Sequence, residues 1–505
     1  MNQPSRFAHE FLRRLQEQTK LQQSTSRRDA LAIDALTTVQ VPDHHDLVSQ
    51  STPQSFQLGT GASIFTHSLI PAITSASSEV IFVTCFWAPS KTLSALHDAL
   101  VKLAAYRRNL TDHDNAHVPP PLRVRICLSS RSLFQKLLHP QSRNGYIYPS
   151  SSWQKALGLP DPELLEAAGI QLQVKSRFFL PFSVMHPKFV IIDRQHAFVP
   201  SCNVSWESWL EGCVEVTGDA VQALLSFYSQ TWERNLDYKK PLTGQATGDQ
   251  VFDSRQAGLS VIPSSTYHYA AVPPAEALLP TLVLPSSFHR NPQFRPFPWQ
   301  KAPKPPATPL NTALLELFDQ AQQSIYVQTP NLTCEPVIVA LLEALQRGVD
   351  VNIVTSRNMM LLEQLITAGT TTSWCIRSLV RRFNKLAEKL AENAHDVETG
   401  RPQLGQLRVS YFRPRRIATA AGHEEQSRMA SDPEEEEPVH SHLKLTVVDE
   451  QYTVLGSGNM DRASWYTSQE LGILFDDGRF AKAVKSTVDK VLDARLDLIF
   501  DSAAR

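Results

Sequence analysis

Apolar positions recur along this chain with two periods, and the two alternate in an order that occurs twice. Residues 79–87, EVIFVTCFW, form a β-branched and aromatic run of the kind a buried strand carries. Leu93, Leu96, Leu100 and Leu103 then follow at helical spacing, and LRVRICLSS at 122–130 reads as a second strand. From residue 324 the order returns: SIYVQTPNL, then the helical pattern VIVALLEALQRG, then VDVNIVTSR. Each half continues to a strand carrying His-x-Lys. Val80 and Ile325 are 245 positions apart, and His186 and His442 are 256 apart. Similar separations at two landmarks mean one unit duplicated, with different loops inserted. Strands alternating with helices predict an α/β fold in which each half is a mixed sheet flanked by helices.

The rest of the pattern divides the chain. Residues 1–50 open with Phe7, Phe11, Leu12 and Leu15 on one helical stripe flanked by Arg13 and Arg14, followed by a polar Gln/Ser/Thr stretch. We expect a short helix packed on the body, with an interfacial helix lying on a membrane as the alternative. The first half spans 51–240. A stretch rich in proline at 241–310, ending KAPKPPATP, reads as a linker or surface excursion. The second half spans 311–505. Within it, 374–393 has the pattern of a basic amphipathic helix with Arg377, Arg381, Arg382 and Lys385, and AGHEEQSRMASDPEEEEP at 421–438 has the composition of a solvated, disordered acidic loop.

Composition narrows the setting. The 505 residues are 42% hydrophobic and 20% charged, ordinary values for a soluble protein. No apolar run approaches the ~20 residues of a bilayer-spanning helix, and residues 1–50 lack the features of a secretory signal. An intracellular protein, soluble or peripherally membrane-associated, is expected. The six cysteines form no CxxC pair and read as small buried residues in a reducing compartment. With 49 basic and 50 acidic residues the net charge is −1, so the basic excess of a protein that grips nucleic-acid backbone is missing from the total.

The chemistry sits in two segments, MHPKFVIIDRQHAFVPSCN and SHLKLTVVDEQYTVLGSGN. With the histidines aligned, His186, Lys188 and Asp193 match His442, Lys444 and Asp449. Ser201 and Asn203 match Ser457 and Asn459, and Glu215 and Glu470 follow in apolar runs. In a strand, residues two apart share a face, so each histidine projects with its lysine into one cleft. The loops PSCN and GSGN can offer N–H groups, a hydroxyl and an amide to an anion. Two halves meeting about a pseudo-twofold axis would gather two histidines, two lysines and two asparagines around one phosphate. One imidazole could then attack phosphorus while the other protonates the leaving alcohol. Glu215 and Glu470 are expected to hold a histidine ring N–H and fix its tautomer. No metal-ligand set lies near the motifs, and no metal or other cofactor is expected.

The doubled H-x-K-x4-D pattern with its following S-x-N resembles the phospholipase D superfamily, over most of 60–500. VLGSGNMDRASWYTSQELGI and VTGDAVQALLSFYSQTWERN are similar to the cardiolipin synthase and phosphatidyltransferase branch. The resemblance implies two phospholipase D-type halves sharing one active-site cleft, a covalent phosphohistidine, and the six motif residues His186, Lys188, Asp193, His442, Lys444 and Asp449 as catalytic. It also implies His186 as the nucleophile. Pro200 departs from the family's glycine and would stiffen its loop.

A phospholipid hydrolase or transphosphatidylase, working at a membrane surface and possessing no obligate protein partner, is the first expectation. FFLPFSVM at 178–185 could line an apolar channel, and FHRNPQFRPFPW at 288–299 interleaves aromatic and basic residues as interfacial loops do. A nuclease using the same site is the alternative, since that loop would also suit single strands. The tyrosyl-DNA phosphodiesterase branch is disfavoured because its motifs lack the aspartate found here at 193 and 449.

Overall fold

The computed structural model describes residues 5–26, 44–113, 119–132, 135, 145–179, 183–205, 208–234, 236–240, 242, 252, 257–272, 278–286, 304–393, 404–415 and 436–504. The loop at 288–299, most of the acidic stretch 421–438 and much of 241–310 lie outside them.

The repeat read from hydropathy is a repeat of topology. In the first half the strands run side by side in the order Val48–Thr60, Trp209–Gly218, His196–Pro200, Phe189–Ile192, Glu79–Phe86, Leu122–Ser130, Ile170–Ser176. In the second half, whose sheet begins within the stretch expected to be a linker and ahead of the expected boundary at 311, the order is Leu279–Ser286, Glu470–Asp476, Tyr452–Gly456, Leu445–Val448, Ser324–Thr329, Asp350–Ser356, Leu407–Phe412, with Leu496–Asp501 added at the edge. Each sheet is mixed: the strands joined by helical crossovers run parallel, and the hairpin that follows His-x-Lys is antiparallel to them. The inner strands are apolar on both faces because helices cover both sides.

The two sheets are fused. Val48–Ser51 pairs antiparallel with Leu279–Leu282, so the first strand of one half hydrogen-bonds the first strand of the other. A second pair of contacts is reciprocal. Trp209 and Leu210 pair with His440 and Ser441, just ahead of the second His-x-Lys, and Met185 bridges Gln469 just ahead of the first. This is the pseudo-twofold relation expected from the duplicated motif.

The amino-terminal helix, Arg6–Ser26, packs on the body. Phe7, Ala8, Phe11, Leu12 and Leu15 are buried in the second half's core with Leu314 and Phe318 of helix Pro309–Gln320, and Arg14 pairs with the buried Glu316. The apolar stripe is therefore used up by protein. None of the six cysteines is in a disulfide, and five are buried. No helix among the described residues is long and apolar enough to cross a membrane.

Candidate active site

Each His-x-Lys segment begins in a short backbone pairing with the opposite half and ends in a buried strand of its own half. His186 N–H donates to Gln469 O at 3.0 Å, and His442 N–H to Leu210 O at 2.8 Å. The next residue on each opposite strand is a glutamate, and the backbone pairing therefore delivers a carboxylate to each ring. His186 Nδ1 lies 2.8 Å from Glu470 Oε2, and His442 Nδ1 lies 2.7 Å from Glu211 Oε1. The carboxylate serving the first histidine comes from the second half, and the reverse.

Each glutamate is pinned in turn by the serine of the small-residue loop: Ser201 Oγ donates to Glu211 and Ser457 Oγ to Glu470, both at 2.5 Å. Ser464 also donates to Glu470 at 2.7 Å. The serine amides anchor equivalently, Ser201 N–H to Gly212 O at 2.8 Å and Ser457 N–H to Leu471 O at 2.9 Å. Pro200 thus leaves the anchor of its loop unchanged. Its counterpart must be glycine: at Gly456, with φ of 148°, an added Cβ would lie 2.2 Å from Leu471 O.

These bonds correct one expectation. Glu215 reaches no motif histidine; its carboxylate lies beside Ser55 and the half-exposed His196. Glu211 occupies the position equivalent to Glu470. The offset misled because the segment from asparagine to glutamate is longer in the second half, where helix Arg462–Tyr466 is inserted. The usable signal was the first acid of the strand WLEGCVEV, matching the first acid of ELGILFD.

Asp193 and Asp449 also differ from the expected role. They sit past the far ends of strands Phe189–Ile192 and Leu445–Val448, away from the histidines, with φ of 49° and 52°. Asp193 accepts from the amides of Ser77, Ser78 and Glu79, each at 2.8 Å, and Asp449 from Gln322, Gln323 and Ser324 at 2.7 to 2.9 Å. Each closes the turn that leads into its half's central strand. The D of the motif is a structural carboxylate.

The remaining motif residues cluster. Lys188 and Lys444 are buried, and their ammonium groups donate to the carbonyls of His186 and His442 at 2.8 and 2.6 Å. Lys444 Nζ is also 2.9 Å from His442 Nε2. Asn203 Oδ1 accepts from Phe86 N–H at 3.2 Å, while Asn459 Nδ2 donates to the buried Asp461 at 2.9 Å. The Asn459 Oδ1 is buried without a partner.

Electrostatics follow from this packing. Burial pushes His186 below its ordinary value, and Lys188 and Lys444 push the same way against the opposing pull of Glu470. His442 is driven down to about 3, chiefly by burial, which Glu211 only partly offsets. Lys444 falls to about 7, again through burial first. Burial would raise Glu211, but His442, Lys444 and Ser201 outweigh it and hold the carboxyl low. Both rings are therefore neutral at pH 7, each with Nδ1 facing a carboxylate; the Nε2 of His186 is left for chemistry, while that of His442 faces the Lys444 ammonium. His186 is the more accessible, its side chain 14% exposed against 3% for His442, whose ring stands against Trp209 at 4.8 Å.

The family model described as cardiolipin synthase, PLD-like domain, matches residues 69–222 and 314–492. No curated protein matches the chain. Among solved structures, phosphatidylserine synthase from Haemophilus influenzae Rd KW20 is similar over 90% of each chain at 14% identity, with a TM-score of 0.47. Nuc from Salmonella typhimurium, described as a phospholipase D family member, is 16% identical over 43% of this chain and 97% of its own, with a TM-score of 0.25. NucT from Helicobacter pylori is 16% identical over 37% of this chain and 89% of its own, at 0.23. With its family model covering both sheet units and both motifs, the chain belongs to the cardiolipin synthase, phospholipase D-like domain family.

Proposed function

We propose that this protein is a phospholipase D-type phosphodiesterase or transphosphatidylase acting on phospholipids through a covalent phosphohistidine. The observation that carries the reading is the reciprocal pair of histidine–glutamate bonds across the two halves. Each carboxylate holds its ring in the tautomer whose Nε2 can attack or relay a proton.

His186, the more accessible ring, is the nucleophile. Its Nε2 forms a P–N bond as the P–O bond to the leaving alcohol breaks, and the alkoxide takes a proton delivered by His442. The substrate's negative charge favours the imidazolium, so His442 takes up from solvent the proton it delivers, and Lys444 beside it keeps its charge. In the second step His442 removes a proton from water or an acceptor alcohol, whose oxygen attacks phosphorus and expels His186. Lys188, Lys444 and the two asparagines stabilise charge on the non-bridging oxygens.

The test incubates pure protein with labelled phospholipids and with single-stranded DNA, each with and without chelator. Release or transfer of headgroup, unaffected by chelator, is expected. Cleavage of DNA alone would replace this reading with a nuclease. Rapid quenching of His442→Ala with a diester carrying a good leaving group should leave label on His186.

A further inference from the structure

The helix Leu361–Ala368 is inside out. Its buried residue is polar Gln364, at 3% exposure, while Leu361, Leu362, Leu365 and Ile366 face solvent, Leu362 at 72%. At 100° per residue these four occupy a continuous arc of roughly 140°. The helix is entered through Met360 in the left-handed conformation, φ 51°, and ends on Gly369 at φ 64°. Three residues later helix Thr372–Asn393 starts, with Trp374 in its first turn 57% exposed. Below Trp374 the exposed stripe of that helix is basic for three turns, at Arg377, Arg381 and Lys385, before Glu388, Lys389 and Glu392 end it with mixed charge. Arg357 is exposed on the other flank, and Glu363 is the only acid on the short helix.

The packing that turns this helix over also ties it to the candidate site. Gln364 Oε1 accepts from Thr372 N–H at 2.6 Å and its amide nitrogen meets the Asn331 side chain at 2.9 Å. Thr372 Oγ1 accepts from Leu332 N–H at 3.0 Å, and Leu332 bridges Met460, the residue after Asn459. Ser356, at the end of the strand before this helix, exchanges hydrogen bonds with Ser441 beside His442, at 2.7 and 2.9 Å. The patch therefore stands at the same end of the second sheet as His442 and Lys444.

We propose that this surface is the face by which the protein docks on a bilayer carrying anionic lipid. Leu361, Leu362, Leu365, Ile366 and Trp374 enter the acyl boundary, and the arginines meet the headgroup phosphates. An apolar arc with a basic border and a tryptophan at its edge matches the amphipathic chemistry of an interface. It would set the cleft beside the lipid layer, so the substrate need not leave the membrane completely. The proposal rests on the phospholipid reading above, but its test needs no turnover.

Full-length protein is floated with vesicles of phosphatidylcholine alone and of phosphatidylcholine with phosphatidylglycerol. Wild type should float with the mixed vesicles and less with the neutral ones. Replacing Leu362→Ser with Ile366→Ser should weaken partitioning on mixed vesicles about tenfold or more, from the apolar area withdrawn. Arg377→Glu with Arg381→Glu should weaken it on the anionic vesicles specifically. Leu498→Ser with Ile499→Ser, an exposed pair on strand Leu496–Asp501, should leave it unchanged. All four substituted sites in the two leucine–isoleucine pairs are exposed, so the variants fold comparably. Failure of wild type to float, equal floating by the Leu362/Ile366 variant, or self-association lost in that variant would each overturn the proposal. Phospholipid turnover in detergent micelles by a protein that binds no vesicle would overturn docking alone. Vesicle binding without phospholipid turnover would overturn the enzymatic reading alone.

Discussion

On the proposed mechanism Lys444 carries a charge that the substrate needs, and its surroundings oppose that charge. Burial lowers it to about 7, with Glu211 pulling against the shift. The group is cationic below that value and neutral above it, so a role in holding phosphate is lost as pH rises. kcat/KM should fall on the alkaline side with a midpoint near 7, while the depressed His186 keeps activity from falling at the ordinary histidine value on the acid side. A profile flat from pH 6 to pH 9 would remove Lys444 from phosphate binding. The two glutamates give a sharper comparison. Glu211→Gln should cost about 10²-fold in kcat, because the ring it orients loses its carboxylate. Glu215→Gln should change kcat by less than about twofold, since its partners are Ser55 and His196. That contrast marks how far the residues could be read from the chain. His186 with Lys188 and His442 with Lys444 could be paired in advance by their two-residue spacing, although the structure holds both pairs in the segments just ahead of strands Phe189–Ile192 and Leu445–Val448 rather than on a strand. Glu211 was not legible, because its offset from the histidine passes through a loop whose length differs between halves.

The strands that carry the motif are set by groups outside the chemistry. Asp193 and Asp449 each take three consecutive amide protons at the mouth of a central strand, a charge-assisted arrangement made at left-handed backbone positions. Replacing Asp193 with Ala should lower stability by about 2–4 kcal/mol, since three amides lose one acceptor. Turnover per folded molecule should stay within a few-fold of wild type, and the pH profile should not move. Chemical denaturation and active-site titration on the same preparation separate these effects, and a pH profile displaced in D193A would return the aspartate to the chemistry. From sequence alone the motif reads as one cluster of polar residues. Only the hairpin geometry separates them: four buried apolar residues, Phe189–Ile192, carry Asp193 to the opposite end of the sheet from Lys188. Elements defined by unbroken apolar runs were readable in advance, Glu79–Phe86 and Ser324–Thr329 among them. The inverted helix Leu361–Ala368 was not, because an amphipathic pattern gives the period of burial and leaves open which arc faces inward.

Across the whole molecule, duplication has produced exchange between halves. Each half provides a histidine and the carboxylate for the other half's histidine, and the two sheets are joined through Val48–Ser51 and Leu279–Leu282. The repeat was visible in the sequence, but the exchange was not, since nothing in two aligned motifs says which glutamate crosses. Its consequence can be measured on the proposed two-step reaction. With a diester whose leaving group needs no proton, formation of the phosphoenzyme depends on His186 and hence on Glu470, a residue of the opposite half. Breakdown depends on His442 activating water, and hence on Glu211. Glu470→Gln should therefore slow the initial burst by about 10²-fold, while Glu211→Gln should leave the burst and slow the steady phase by a similar factor, so that labelled enzyme accumulates. Quenched-flow measurement of bound label against released alcohol distinguishes the two. If Glu211→Gln abolishes the burst and Glu470→Gln spares it, the histidines have the opposite roles. If both variants slow both phases equally, the carboxylates orient a single catalytic unit and the division of labour between the rings fails.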